Sequence, residues 1–425
     1  MSATIANGLP RAAVDAKITA MLAASAVFFG VFLSGFVVNE PSPYELYMVP
    51  LIAVWCLFGL PISRHAGVLM AIFTVYCVGG LFSMAQMADL YDTPIYLAVT
   101  LFLALTSVFF AAVTRAQPWL FRPIFHGWVA AALVTGTLGI CGYFNLFPGA
   151  EMFTRYDRAM GAFKDPNVFG PFLALPGIYL LYLVLTGDPR KLPLHAAMLL
   201  VIVAAIFLSF SRGAWGLFVI SAMLMVAALF LQSNSGLFRL RIVLMTTFAF
   251  LLLTVAILVA LQLPGVGDFF SARAQLVQEY DGGHLGRFAR FGIGFQMATE
   301  HPFGIGPLMF GRMLGEDTHN IWLKSLMDYG WIGFAAYVGL ILGTLVGGFR
   351  ILFRDRPWQP YLMCAYVVFL GHIGLGTVID MDHWRHFYLL IGLIWGCFGL
   401  EQRHQARLAR KTGPSPADGG IAGDA

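Results

Sequence analysis

GRFARFGIGFQMATEHPFGIGPLMFGRMLGEDTHNIWLKSLMDYGWIG, residues 286–333, is the longest polar break in a chain that is otherwise almost continuous hydrophobe. It gathers Arg287, Arg290, His301, Arg312, Glu316, Asp317, His319 and Lys324 into one segment. The runs on either side decide the fold. Of 425 residues, 59% are hydrophobic and 11% are charged, whereas a soluble domain carries about 25% charged residues. That deficit belongs to a polytopic membrane protein. A soluble chain of this length would form about two or three domains. In a bilayer, where each crossing takes about 20 apolar residues, the expected fold is all-α: one bundle of about 12 transmembrane helices.

Apolar windows fall at 18–38, 44–61, 66–87, 94–114, 122–146, 167–186, 193–210, 213–231, 241–262, 328–349, 359–379 and 386–400. They divide the chain into nine helices over 1–262, a long loop with short amphipathic helices over 263–327, three more helices over 328–400, and a tail over 401–425. Arg11 and Lys17 precede a first apolar run that is longer than the roughly 7–15 residues of a signal-peptide core. An uncleaved first span is expected. The end from Lys411, KTGPSPADGGIAGDA, has the composition of a disordered tail. Cys56, Cys77, Cys141, Cys364 and Cys397 lie in apolar runs without paired spacing, which gives neither a disulfide framework nor a zinc site.

The basic residues orient the chain. Arg64, Arg115, Arg122, Arg190, Lys191, Arg239, Arg241, Arg350, Arg354 and Arg356 fall in alternate loops, together with the cations near both ends. Cytoplasmic loops carry the excess of Lys and Arg, so both termini are expected in the cytoplasm and the 263–327 loop outside it. The net charge of +4 reflects this placement and does not indicate nucleic acid. The remaining cations, Arg155, Arg158, Lys164, Arg212, Arg273, Arg287, Arg290, Arg312, Lys324 and Arg385, all fall on the outer side, against the trend. An anionic ligand at the outer face accounts for them better than loop hydration alone.

Arg287 and Arg290 are three residues apart and share a face in a helix. Planar guanidinium groups suit phosphate, although an interfacial helix also uses arginine to anchor on headgroups. His301-Pro302-Phe303-Gly304-Ile305-Gly306-Pro307 reads as a tight turn, and no ligand is assigned to it. His319-Asn320 stands where the loop meets the next helix. An imidazole there can titrate near neutrality and move a proton, but a lone His at a helix start is more often a cap or a surface group. Asp380-Met381-Asp382-His383, with Arg385 and His386, has a composition that can bind Mg²⁺ or Mn²⁺. Simple solvation of the last outer turn is the other reading of these residues.

The pattern His319-Asn320, nine residues, then Gly330-Trp331-Ile332-Gly333 resembles the signature of the bacterial O-antigen ligase superfamily. That superfamily also holds O-antigen and exopolysaccharide polymerases and some protein O-oligosaccharyltransferases. GAFKDPNVFGPFLALP at 161–176, FSRGAWG at 210–216 and GRFARFGIGFQMATEHPFGIG at 286–306 resemble family segments in the same order. The resemblance is good over 150–340 and extends elsewhere only in hydropathy. It departs at an Arg-x3-Leu element often described for ligases, because Arg212 is followed at that spacing by Gly216, with Leu217 next.

The resemblance implies metal-independent glycosyl transfer without a cofactor, at the outer face of a bacterial inner membrane; it therefore sets acceptor binding or simple solvation above a metal role for Asp380, Asp382 and His383, and no metal site is assigned. The donor would be a glycan on undecaprenyl diphosphate, and the acceptor a sugar hydroxyl on a glycan or on lipid A core. Carried onto this sequence, it makes His319 and Arg287 catalytic and gives Arg212, Arg290, Arg155 and Arg158 to the donor diphosphate. Ligase and polymerase stay open, as does the oligomeric state. The rival class is a secondary transporter of 12 helices, against which the ionisable residues crowd the outer ends of the spans.

Overall fold

The computed structural model describes residues 11–262, 267, 270 and 287–412. Five helices open the chain: α1 (Arg11–Leu33), α2 (Pro43–Leu57), α3 (Arg64–Met84), α4 (Thr93–Ala116) and α5 (Phe121–Tyr143). A two-residue antiparallel pair, β1 (Thr154–Arg155) and β2 (Arg158–Ala159), precedes α6 (Pro166–Phe172) and α7 (Ala174–Thr186). Then come α8 (Leu192–Leu208), α9 (Arg212–Gln232) and α10 (Gly236–Ala260). The polar segment contributes α11 (Arg287–Glu300) and α12 (Met309–Leu314). The chain continues as α13 (Ile321–Leu352), α14 (Gln359–Leu375) and α15 (Arg385–Thr412).

Among the described residues, nine helical stretches are long and apolar enough to cross a membrane, while α2 and α14 are shorter apolar helices. This is a multi-pass, nearly all-helical membrane protein. Its helix starts are capped in the ordinary way. The hydroxyls of Ser63, Ser211 and Ser235 accept from Ala66, Ala214 and Phe238 backbone N–H groups, satisfying donors that a helix cannot pair internally.

The most extensive helix pairings are α3 with α13 and α4 with α15. The crossing of α3 and α13 depends on glycine: a Cβ on Gly79 would lie 2.5 Å from the Tyr329 carbonyl oxygen and 2.7 Å from Gly333 N. Small residues permit such approach of backbones in a bilayer, where packing rather than water expulsion holds helices together. By contrast, α10 exposes Phe248, Phe250, Leu251 and Leu258. A surface that apolar would be a liability in water and suits lipid contact.

The two ends of the bundle differ. At one end Arg356 Nε meets Glu401 Oε2 at 2.9 Å and Trp358 stacks edge-on with His404. At the other, Arg385 pairs with Glu45, and Arg312 pairs with Asp92 at 3.1 Å. Because α13 runs from His319 at its start to Arg350 near its finish, the conspicuous polar segment lies at the end away from the Arg354–Glu401 cluster.

Three boundaries depart most from the sequence reading. The helix expected from 328 begins at Ile321, because Asn320 caps it. The last helix runs to Thr412, well past the expected 400. The first begins at Arg11 instead of 18. The expected loop over 263–286, apart from 267 and 270, and the expected disordered tail past Thr412 lie outside the described residues.

Candidate functional site

Asn320 sets the geometry of the site. Its Oδ1 accepts from Trp322 N at 3.0 Å and Leu323 N at 3.2 Å, starting α13. Its Nδ2 donates to the Thr377 carbonyl at 3.2 Å, and Ile321 N–H donates to the Gly376 carbonyl at 2.9 Å. The start of α13 is thereby tied to the turn between α14 and α15. One residue earlier, His319 has φ of 51°, a left-handed conformation uncommon for a residue with a side chain. The imidazole is half-buried, with Nδ1 at 3.7 Å from Asp380 Oδ2.

Behind this pair lies a polar network. Lys324, its side chain only 3% exposed, holds Asp317 Oδ2 at 2.9 Å and Asp328 Oδ2 at 3.0 Å. The Tyr96 hydroxyl donates to Asp382. Thr100 Oγ1 meets both Tyr329 Oη at 2.8 Å and His383 Nε2 at 2.9 Å. Burial pushes the Asp380 carboxyl up to about 8, with the carboxylates of Asp382, Asp317 and Asp328 adding to the rise and the Lys324 ammonium opposing it. Burial also pushes the His383 imidazole down, favouring its neutral form.

The long-loop helices dock on the same place. Ala298, Phe310, Leu326 and Met327 form a small apolar cluster that joins α11 and α12 to α13. The turn at 302–306 fits a break in α13. Gly330 has φ of 63°, and a Cβ there would stand 2.6 Å from the Phe303 carbonyl carbon. The break frees backbone groups: Ile305 N–H donates to the Met327 carbonyl at 2.9 Å, and Trp331 N–H to the Pro302 carbonyl at 3.0 Å. The two glycines of the motif are therefore architectural. Gly330 admits the turn, and Gly333 admits α3.

The six residues singled out in the sequence are only partly brought together. His319 and Arg290 converge. Arg290 pairs with Glu316 and its Nη1 reaches the Asp317 carbonyl at 3.5 Å, so α11 is pinned to the segment leading into His319. Arg287 stands one turn earlier, at the start of α11, and its side chain lies outside the described residues. Arg212 is the first residue of α9 and is half-buried. Arg158 is buried, with Nε donating to the Ser209 carbonyl at 2.8 Å and Nη2 to Asn167 Oδ1 at 2.8 Å. It thus braces the turn from which Arg212 springs.

Arg155 is exposed and stands apart from these contacts. It donates to the Lys164 carbonyl at 2.9 Å and covers the Tyr156 ring at 4.9 Å, beside an open cavity of about 290 Å³ that Lys164 also lines.

Asp328 and Tyr96 have no role in the sequence reading, Asp380 enters it only within a composition that could bind metal or acceptor, and Lys324 enters it only among the outer cations ascribed to an anionic ligand, whereas its ammonium is taken up by Asp317 and Asp328. The signal in the sequence is Lys324 and Asp328 at i and i+4, a pairing that meets on one helix face. The side chains of the 380–386 turn are drawn to separate partners: Asp380 to His319, Asp382 to Tyr96, His383 to Thr100 and Arg385 to Glu45. Among the described residues, no group of three His, Cys, Asp or Glu is placed to hold a metal ion.

Residues 196–338 match the family model described as O-antigen ligase. This segment belongs to the O-antigen ligase superfamily. The match takes in the first turn of α9 with Arg212, all of α11, His319 and the glycines at the α13 break. It ends before the turn that carries Asp380. No curated protein matches the chain. An O-antigen ligase segment in a multi-pass membrane protein supports glycosyltransferase-type activity on glycans.

Proposed function

We propose that this protein transfers or polymerises glycan from an undecaprenyl-diphosphate-linked donor onto a sugar hydroxyl, at the periplasmic face of a bacterial inner membrane. The reading includes about 12 crossings with both termini in the cytoplasm, extending the nine long spans by α2, α14 and the apolar part of α15. The observation that carries it is His319, half-buried at the capped start of α13, with Asp380 on one side and the arginine-bearing helix α11 docked beside it.

In the reaction, the acceptor oxygen bonds to the donor's anomeric carbon as the bond from that carbon to the diphosphate oxygen breaks. The leaving electron pair stays on the diphosphate, where charge builds. Arg287, Arg290 and Arg212 supply preorganised positive charge for it, with Arg155 and Arg158 flanking. His319 takes the hydroxyl proton. The bond to diphosphate holds the driving force, so no nucleotide is needed.

A transporter reading draws on the buried Lys324–Asp328 pair, since ionisable groups inside spans mark ion pathways. That pair sits near the start of α13, next to His319, and not midway along a helix.

The test is complementation of a strain deleted for this gene with His319→Ala and Arg287→Ala, membrane abundance being checked by blot. Accumulated polyprenyl-linked glycan with both variants present in the membrane supports transfer. Single repeat units would mean a polymerase, and long unattached chains a ligase. Normal surface glycan with both variants would sink the mechanism.

A further inference from the structure

Among the described residues Lys324 is the most deeply buried cation at the site, and it is placed to do more than balance charge. Its ammonium ties Asp317, of the segment that ends in His319, at 2.9 Å to Asp328, one helical turn further along α13, at 3.0 Å. Asp380 and Asp382, on the turn between α14 and α15, add their negative charge to its surroundings. The Tyr96 ring of α4 covers the ammonium at 5.4 Å, and the Tyr96 hydroxyl holds Asp382. Asp328 is fully buried, and neither of its oxygens has a well-directed hydrogen bond among the described residues, so the Lys324 charge at 3.0 Å is its main compensation. Asp380 Oδ1 is likewise buried without a hydrogen-bond partner among the described residues, while Oδ2 faces His319.

We propose that Lys324 is a positioning residue for glycosyl transfer: it anchors the 317–319 turn through Asp317 and stands among the carboxylates that surround Asp380, so that Asp380 orients the His319 imidazole toward the acceptor. This rests on the transferase reading of the same site. One lysine stands among four carboxylates, Asp317, Asp328, Asp380 and Asp382, so the charge on Asp380 depends on Lys324 and on the other three. The groups facing Asp380 are Lys324 and Asp328 from α13, Asp317 and His319 from the segment before it, and Asp382 on its own turn. Lys324 favours ionised Asp380, and the three other carboxylates oppose it. An ionised Asp380, whose Oδ2 lies 3.7 Å from His319 Nδ1, favours the tautomer with its proton on Nδ1, which leaves Nε2 unprotonated and available for the acceptor hydroxyl. A protonated Asp380 removes that preference, and turnover falls.

Opposite substitutions then move the activity profile in opposite directions. The protein would be purified in lipid nanodiscs and assayed with a polyprenyl-diphosphate-linked oligosaccharide between about pH 6 and pH 10. In wild type, kcat rises with pH as Asp380 ionises. Lys324→Met lowers kcat by about 100-fold near neutrality and moves the limb to higher pH, with partial rescue in alkali and donor KM changed by less than about threefold. Lys324→Arg restores kcat toward wild type. Asp317→Asn removes an opposing charge and moves the limb to lower pH, and it decides the matter if Lys324→Met does not fold. Asp380→Asn flattens the limb. A role confined to stability would change abundance and leave the limb in place, so unmoved limbs in folded variants overturn the proposal. Wild-type protein with no transfer at any pH would instead overturn the transferase reading.

Discussion

A histidine in the left-handed region carries a conformational penalty of about 1–2 kcal/mol, which its surroundings must hold in place. At His319 the hold comes from the next residue. Asn320 caps α13 with two hydrogen bonds and anchors to Thr377 with a third. Asn320→Ala is therefore expected to cost about 1 kcal/mol of cap energy, seen as a lowered Tm in detergent, and to cost turnover more than the lost stability accounts for, because the His319 turn is released. Asn320→Asp keeps the acceptor for the cap and should recover most of the Tm. Equal losses of activity in both variants despite a recovered Tm would assign the effect to the Thr377 anchor. At this scale the sequence makes His319 legible, because a polar motif stands out where a loop meets a span. Lys324 and Asp328 are hidden. Hydropathy starts the helix at 328, so a buried ion pair within its first two turns reads as loop solvation. Asp380 lies about sixty residues away in sequence, and only tertiary folding brings it to His319.

The broken helix α13 and the turn docked in it form a unit. Gly330 has positive φ and lies against the Phe303 backbone, so Gly330→Ala meets both strain and collision. The expected loss is about 2–3 kcal/mol, with detachment of the 302–306 turn and hence of α11 from α13. Gly339, later in the same helix, has open space within 4 Å of where an alanine methyl would stand, and it serves as control. Gly339→Ala should leave Tm unchanged or raise it by about the helix-propensity gain of alanine. Equal destabilisation by the two alanines would show that the break is not what holds the loop helices. The turn itself is legible from Pro302, Gly304 and Gly306. Its seat is not, because nothing in a linear pattern says that Met327 and Pro302 carbonyls receive Ile305 and Trp331 N–H groups.

For the whole molecule, composition makes the apolar helices legible, since a chain with so few charges has little else to form. The charge distribution separates two ends, and the fold keeps that separation: Arg354, Arg356 and Glu401 gather at one, while Arg385, Glu45, Arg312 and Asp92 meet at the other. Helix ends are less legible, because capping and the polar continuation of α15 depend on local hydrogen bonds and not on hydropathy. Arg155 and Arg158 show the limit of reading charge alone. Neighbours in a hairpin, they part company, one exposed beside a cavity and the other buried against Ser209 and Asn167.

The most direct measurement is the initial rate of glycan transfer by the purified protein in liposomes. The donor would be a defined polyprenyl-diphosphate-linked oligosaccharide, with a saccharide acceptor and no nucleotide. Wild-type protein is expected to form the new glycosidic bond and release polyprenyl diphosphate, and His319→Ala to do so at least about 100-fold more slowly with donor binding retained. Transfer by His319→Ala at the wild-type rate, or movement of the intact lipid-linked donor across the bilayer without bond formation, would contradict the account.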